Sequence, residues 1–185
     1  MANRDALRAF QARLASRLQA ARSAGVSASW LAVEAGEGRY LFPLGHAGEI
    51  FPWVPPQPVP YTEPWFLGVS NLRGELYGVV ELSAFTGVAR GSALPDAGRG
   101  QARLVALNEL LEVNCALLID RLVGLRGAEA FVDARPPAAD APAWMGYAFT
   151  DDSGVQWQEV NLQALSQQPQ FLSIGAGSGA LAHST

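Results

Sequence analysis

Hydrophobic residues recur along this chain in two rhythms. Between residues 4 and 22 they fall three or four apart, at Leu7, Phe10, Leu14 and Leu18, which puts them on one face of a helix. Ser23 to Ser29 is a small-residue connector containing Gly25. Beyond it the apolar runs are short, strand-like and cut by turn residues. Trp30–Glu34 and Arg39–Leu44 flank Gly36-Glu37-Gly38, a hairpin signal. Glu49-Ile50-Phe51 follows, and then six Pro between Pro52 and Pro64. Proline lacks the donor a strand ladder needs, so this stretch is expected to be an ordered surface loop.

Two further strand-like runs, Trp65–Ser70 and Glu75–Leu82, enclose Asn71, Leu72, Arg73 and Gly74. Leu67 and Val69 alternate with Phe66 and Gly68, so one face of the first run is core and the other is open to a groove. Residues 88–101 are rich in Gly, Ala and Ser and are expected to be a loop. Ala102–Leu107 and Val113–Ile119 predict strands joined by the polar Asn108–Glu112, and Arg121–Arg126 continues the apolar pattern. Residues 133–143 are Pro/Ala-rich and loop-like. Tyr147–Thr150 and Val155–Val160 flank Asp151-Asp152-Ser153-Gly154, a second hairpin signal. Asn161 caps a short helix expected to run to Gln168, with Pro169 stopping it. Many short strands with Gly/Pro punctuation predict an all-β barrel or sandwich.

Composition narrows the picture. Of 185 residues 49% are hydrophobic and 16% charged, which suits a sizeable core and argues against disorder. All 13 basic residues are Arg. Residues 1–24 carry five Arg and one acid, whereas the rest carries eight Arg and sixteen acids. A body with that sign is not a nucleic-acid binder. No apolar run reaches the roughly 18 residues of a membrane span, and no secretory signal segment is present, so a cytoplasmic protein is expected.

Catalytic signatures are missing. The chain has no glycine-lysine phosphate loop, no G-x-S-x-G elbow and no H-E-x-x-H motif. Cys115 sits in an apolar run and reads as a buried structural thiol. With His46 and His183 it makes no metal site, and no cofactor is expected. Asp151 and Asp152 fall in an expected turn, where carboxylates are usually solvated. What stands out is the run from Trp65 to Leu82. Gly68 leaves room for a close approach by another chain, Asn71 and Gly74 accept unusual turn dihedrals, and Arg73 offers a planar fork to a carboxylate.

That run resembles the signature of CheW-like domains, in which a strand leads into Gly-Val-x-Asn-Leu-Arg-Gly and a second apolar strand. Gly68-Val69-Ser70-Asn71-Leu72-Arg73-Gly74 matches it without a gap. Trp30–Leu44, Glu49-Ile50, Ala116–Gly124 and Val155–Leu165 are similar to other blocks of the family, in its order. The family usually has Pro where Gly78 stands and Asp where Glu81 stands. Trp65, the N-terminal helix and the Gln168–Leu172 ending look like the pilus-associated, PilI-like branch.

The resemblance implies a mainly β fold: two small SH3-like β-barrel subdomains sharing a core, with an added N-terminal helix and a short C-terminal helix. It divides the chain into residues 1–28 (helix and connector), 29–172 (the domain) and 173–185 (a flexible tail). It implies a non-catalytic adaptor between the cytoplasmic tip of methyl-accepting receptors and the regulatory domain of a CheA-like histidine kinase, recruited to membrane-bound receptor arrays without inserting in the membrane. In the PilI-like branch the output is type IV pilus twitching motility. The residues implied at the receptor or kinase surface, or supporting its groove, are Ala47, Glu49, Gly68, Asn71, Arg73 and Gly74, with Arg73 paired to Glu49. The alternative reading is a free-standing β-barrel module that binds peptides outside any receptor–kinase array.

Overall fold

The computed structural model describes residues 29–88 and 100–175. The expected N-terminal helix lies outside the described residues, as do most of the 88–101 loop and the tail from residue 176.

The chain begins with the expected hairpin, β1 (Ser29–Ala35) and β2 (Gly38–Pro43), and then crosses to a second sheet. That sheet contains β3 (Ala47–Pro52), β4 (Phe66–Leu72), β5 (Glu75–Glu81), β6 (Arg103–Leu107) and β7 (Cys115–Ile119). The chain returns with β8 (Arg121–Gly127), β9 (Phe131–Arg135), β10 (Met145–Asp151) and β11 (Gln156–Val160). The first sheet has the order β8-β1-β2-β11-β10-β9 and the second β3-β6-β7-β5-β4. One unit is therefore inserted in the other. β1 pairs with its neighbour β2 and also with β8, nearly ninety residues later: Ser29 faces Gly127 and Glu34 faces Arg121.

Each sheet curls on itself. In the second, the edge strands β3 and β4 are joined by the Pro-rich loop, which doubles back on β4. Gln57 and Val69 exchange two backbone hydrogen bonds, at 2.7 and 2.9 Å. In the first, the edge strand β8 runs through one 3-10 turn, Ala128–Ala130, directly into the other edge, β9. The result is the two-barrel, mainly β fold that the resemblance implied.

Side-chain alternation explains why the barrels stay together. Leu31 and Val33 of β1 enter a shared core, while Trp30 and Ala32 point into the six-stranded barrel. On β7, Cys115, Leu117 and Ile119 face the shared core, and Ala116 and Leu118 fill the five-stranded barrel. Strands buried on both faces read as continuous apolar runs, which is the pattern of Cys115–Ile119. Each fully buried Leu or Ile there contributes about 1.5–3 kcal/mol.

Three helices close the junction. The sequence pattern extended β5 to Leu82; instead Leu82–Thr86 forms α1, stopped by Gly87 at φ 69°. Asn161 caps α2 (Leu162–Ser166) by accepting from the Ala164 amide. Pro169 both follows that helix and opens α3 (Pro169–Leu172), because a proline at the first helical position forgoes a donor that has no partner there anyway. Leu82, Phe85, Leu162, Leu165 and Phe171 all enter the shared core. Residues 131–135, partly assigned to a loop by their composition, form β9 by pairing with β10.

Candidate functional site

The β4–β5 turn is built by residues Asn71 to Gly74. Leu72 pairs with Glu75, so Arg73 and Gly74 alone form the loop, at φ 52° and 93°. Positive φ at both positions matches the right-handed twist of a hairpin. The expectation that Asn71 takes an unusual dihedral is corrected here. The non-glycine residue in the left-handed region is Arg73, and Asn71 acts through its side chain, whose Oδ1 accepts from the Gly74 amide at 2.8 Å.

This turn carries Arg73 over to β3, the opposite edge of the same sheet. Its Nη2 lies 2.7 Å from Glu49 Oε1, and its guanidinium sits 5.9 Å from the centre of the Phe51 ring. The pair is exposed, Arg73 by 75% and Glu49 by 43%, so it contributes about 0–1 kcal/mol to folding. Its surroundings are acidic. The Tyr77 phenol is held above its usual range by burial first, then by its hydrogen bond to Glu75 and the charges of Glu75, Glu109 and Glu49. Arg73 is thus a cation presented within an acidic tip.

Gly68 lies beneath the Pro-rich loop. It has φ 129°, and a Cβ there would collide with the Gln57 carbonyl and Pro58. The close approach foreseen at Gly68 is made by this chain's own loop. Ala47 opens β3 opposite Leu107 and packs against the shared core. Glu49, Asn71, Arg73 and Gly74 therefore share one end of the barrel, while Ala47 and Gly68 shape the framework beside it. On β4, Leu67 packs inside the five-stranded barrel. Val69 lines an apolar cleft of about 300 Å³ with Phe66, Gly78, Val80, Cys115 and Leu172.

Burial pushes the Cys115 thiol up to about 12, far from any nucleophilic range. Asp151 is also not the solvated carboxylate its turn position suggested. It is buried and accepts from the Ser153 and Val155 amides and from Trp157 Nε1, at 3.0, 2.9 and 3.0 Å. His46 does not join it. That histidine borders the Met145 end of β10, and Asp151 ends the same strand six residues away, about 20 Å.

A discontinuous double barrel, closed beside an exposed Arg–Glu pair at the Asn-Leu-Arg-Gly turn, defines the class. A model of the CheW-like domain matches residues 29–169, from the first strand to the start of α3, and the chain belongs to that family. Among individual relatives it is 28% identical to Protein PilI of Pseudomonas aeruginosa over 166 residues, 88% of each chain. The scaffolding protein TtCheW from Thermoanaerobacter tengcongensis has the same fold, with a TM-score of 0.58 at 15% identity, covering 72% of this chain and 88% of that one. Two features that pointed to the PilI-like branch touch in the structure: Trp65 and Phe171 stack at 6.2 Å with 7° between their planes. The departure at Gly78 also has a local reason. Its amide donates to Asn114 at 2.9 Å, a bond proline cannot make.

Proposed function

We propose that this chain is a non-catalytic adaptor that couples methyl-accepting receptors to a CheA-like histidine kinase, with type IV pilus twitching as its output. The observation that carries this reading is the exposed Arg73–Glu49 pair at the closure of the second barrel. It adds little to folding, yet it occupies the turn that carries the family signature. An exposed pair of this kind contributes little to the fold and is open to a partner. The similarity to PilI over most of both chains supports the pilus system in particular. Among the described residues no helix is long and apolar enough to cross a membrane, so the proposed route to the membrane is through the receptor. In this role the adaptor makes and breaks no bond. It holds receptor tip and kinase regulatory domain at fixed relative positions, and the two rigid barrels pass a receptor bias on to the kinase.

The test is titration of the folded chain with the regulatory domain of the kinase from the same organism, and separately with a receptor hairpin fragment. Binding of both, weakened by Arg73→Ala and by Glu49→Ala, is the expected result. Binding of neither would leave a free-standing peptide-binding barrel as the better reading.

A further inference from the structure

The face of the six-stranded sheet that covers the shared core runs on past the core's edge. Residues opposite one another in an antiparallel pair share a face, as do residues two apart on one strand. Leu31 lies opposite Phe42 on one side and Leu125 on the other. Leu31 and Phe42 are buried in the shared core, yet Leu125 is exposed by 67%. One row further out, Ser29 lies opposite Gly127, and its carbonyl accepts from the Leu44 amide at 3.2 Å. Leu44 follows Phe42 by two residues, so it belongs to the same face, and it is exposed. A Cβ on Gly127 would meet the Glu129 carboxylate, which sets an acid beside the two leucines. Glu129 is exposed and makes no ion pair among the described residues.

Ser29 stands between these leucines, and there residues 1–28 join the sheet. That segment carries the stripe Leu7, Phe10, Leu14 and Leu18. Arg4, Arg17 and Arg22 lie three or four residues from Leu7, Leu14 and Leu18, so on a helix they border the stripe. The stripe is then about 16 Å long. Leu44 and Leu125 are two strands and one row apart, about 12 Å. Residues 23–28 reach about 20 Å, enough for the stripe to fold back over both. Length, polarity and sign of charge therefore agree. A patch centred on two leucines is far below the roughly 800 Å² per partner of a stable dimer. A segment joined at Ser29 needs no such area, because its tether holds it at an effective concentration of about millimolar.

We propose that the Leu44–Leu125 face is the docking site of this chain's own residues 4–22, which lie on it as a helix. The apolar stripe covers the two leucines, and Arg22, the arginine nearest the junction, meets Glu129. Docking there extends the shared core by one layer and makes the segment part of the domain. The inference is independent of the receptor–kinase reading.

The experiment uses the full chain with its leucine methyls isotopically labelled and follows them by NMR. Nuclear Overhauser contacts between the Phe10 ring and the methyls of Leu44 or Leu125 are expected within one molecule. Phe10→Ala shifts those methyl signals and leaves the fully buried Leu117 in place, which shows that the fold is intact. Leu14→Ser and Leu125→Ser each lower the denaturation midpoint, and together they lower it by less than the sum, as residues in contact do. Methyl signals that Phe10→Ala leaves unmoved, or strictly additive midpoints, would overturn the proposal. Contacts found only between labelled and unlabelled molecules of a mixed sample would overturn it in favour of a second copy of the chain.

Discussion

The two hairpin turns at Asn71–Gly74 and Asp151–Gly154 look alike as sequence. Each joins two apolar strands, each has an Asx residue at its first position, and each contains charge. In the structure they do opposite work. Asp151 turns inward and collects three donors, one of them the indole of Trp157, whose ring lies in the core of the six-stranded barrel. Asn71 braces its turn with one bond and leaves Arg73 outside, against Glu49. The Asp151 turn ties two strands to a core. The Asn71 turn presents a charged pair to solvent at little cost to stability. The same local chemistry therefore serves the fold or a partner, depending on whether its polar groups face buried donors or water.

The sharpest way to break this comparison is at the core end of the inward turn. Trp157→Ala removes a buried ring and one Asp151 donor and is expected to destabilise the protein by about 3–5 kcal/mol, measured by chemical denaturation. A loss no larger than that of an exposed substitution would mean the turn is not tied to the core. Next comes Gly68→Ala, which strikes the barrel closure beneath the outward turn. The added methyl meets the backbone at Gln57 and Pro58, so an overpacking cost of about 1–3 kcal/mol is expected, with faster proteolysis of the Pro-rich loop.

Asp151 gives the inward turn a pH signature. The Trp157 hydrogen bond first, then the Val155 and Ser153 amides and the charge of Arg126, hold its carboxyl below the ordinary value of 3.8. A depressed carboxyl contributes stability that is fully present above the unfolded value and is lost as pH falls through the folded one. Unfolding midpoints of the wild type should therefore fall more steeply than those of Asp151→Asn below about pH 4. Parallel curves would show that this carboxylate does not carry the acid sensitivity.

Arg73→Ala should change stability by no more than about 1 kcal/mol while weakening partner binding. A swap, Arg73→Glu with Glu49→Arg, tests whether the pair itself or the sign of each position matters: recovery of binding favours the pair. The smallest effect is expected at Tyr61, where Tyr61→Gly relieves the left-handed strain but loosens the unfolded chain, for a net gain of about 0.5 kcal/mol by the same denaturation assay. A decrease would mean that the ring packs usefully in the folded state.

Much of this molecule was legible from local pattern because local physics dominates there. The β1–β2 hairpin, the Asn161 cap and the continuous apolar run of β7 each follow from turn chemistry or burial that acts over a few residues. α1 was not legible. Leu82–Thr86 is too short to show a helical period, and it is helical because Leu82 and Phe85 have a shared core to fill. β9 was missed for a similar reason: Phe131–Arg135 is a strand through its pairing with β10. The Arg73–Glu49 pair came from the family resemblance, since nothing in a spacing of two dozen residues brings those side chains together.

By itself, then, the sequence determined where the chain turns, which runs are apolar on both faces and which residues carry the family signature, because these depend on side-chain type and on neighbours a few positions away. Tertiary structure alone decided that one barrel is inserted in the other, that Gly68 makes room for the chain's own Pro-rich loop, and that Asp151 is buried while Arg73 is exposed. Those outcomes rest on contacts between residues far apart in the chain. Their energies exist only once both sheets have closed around a common core.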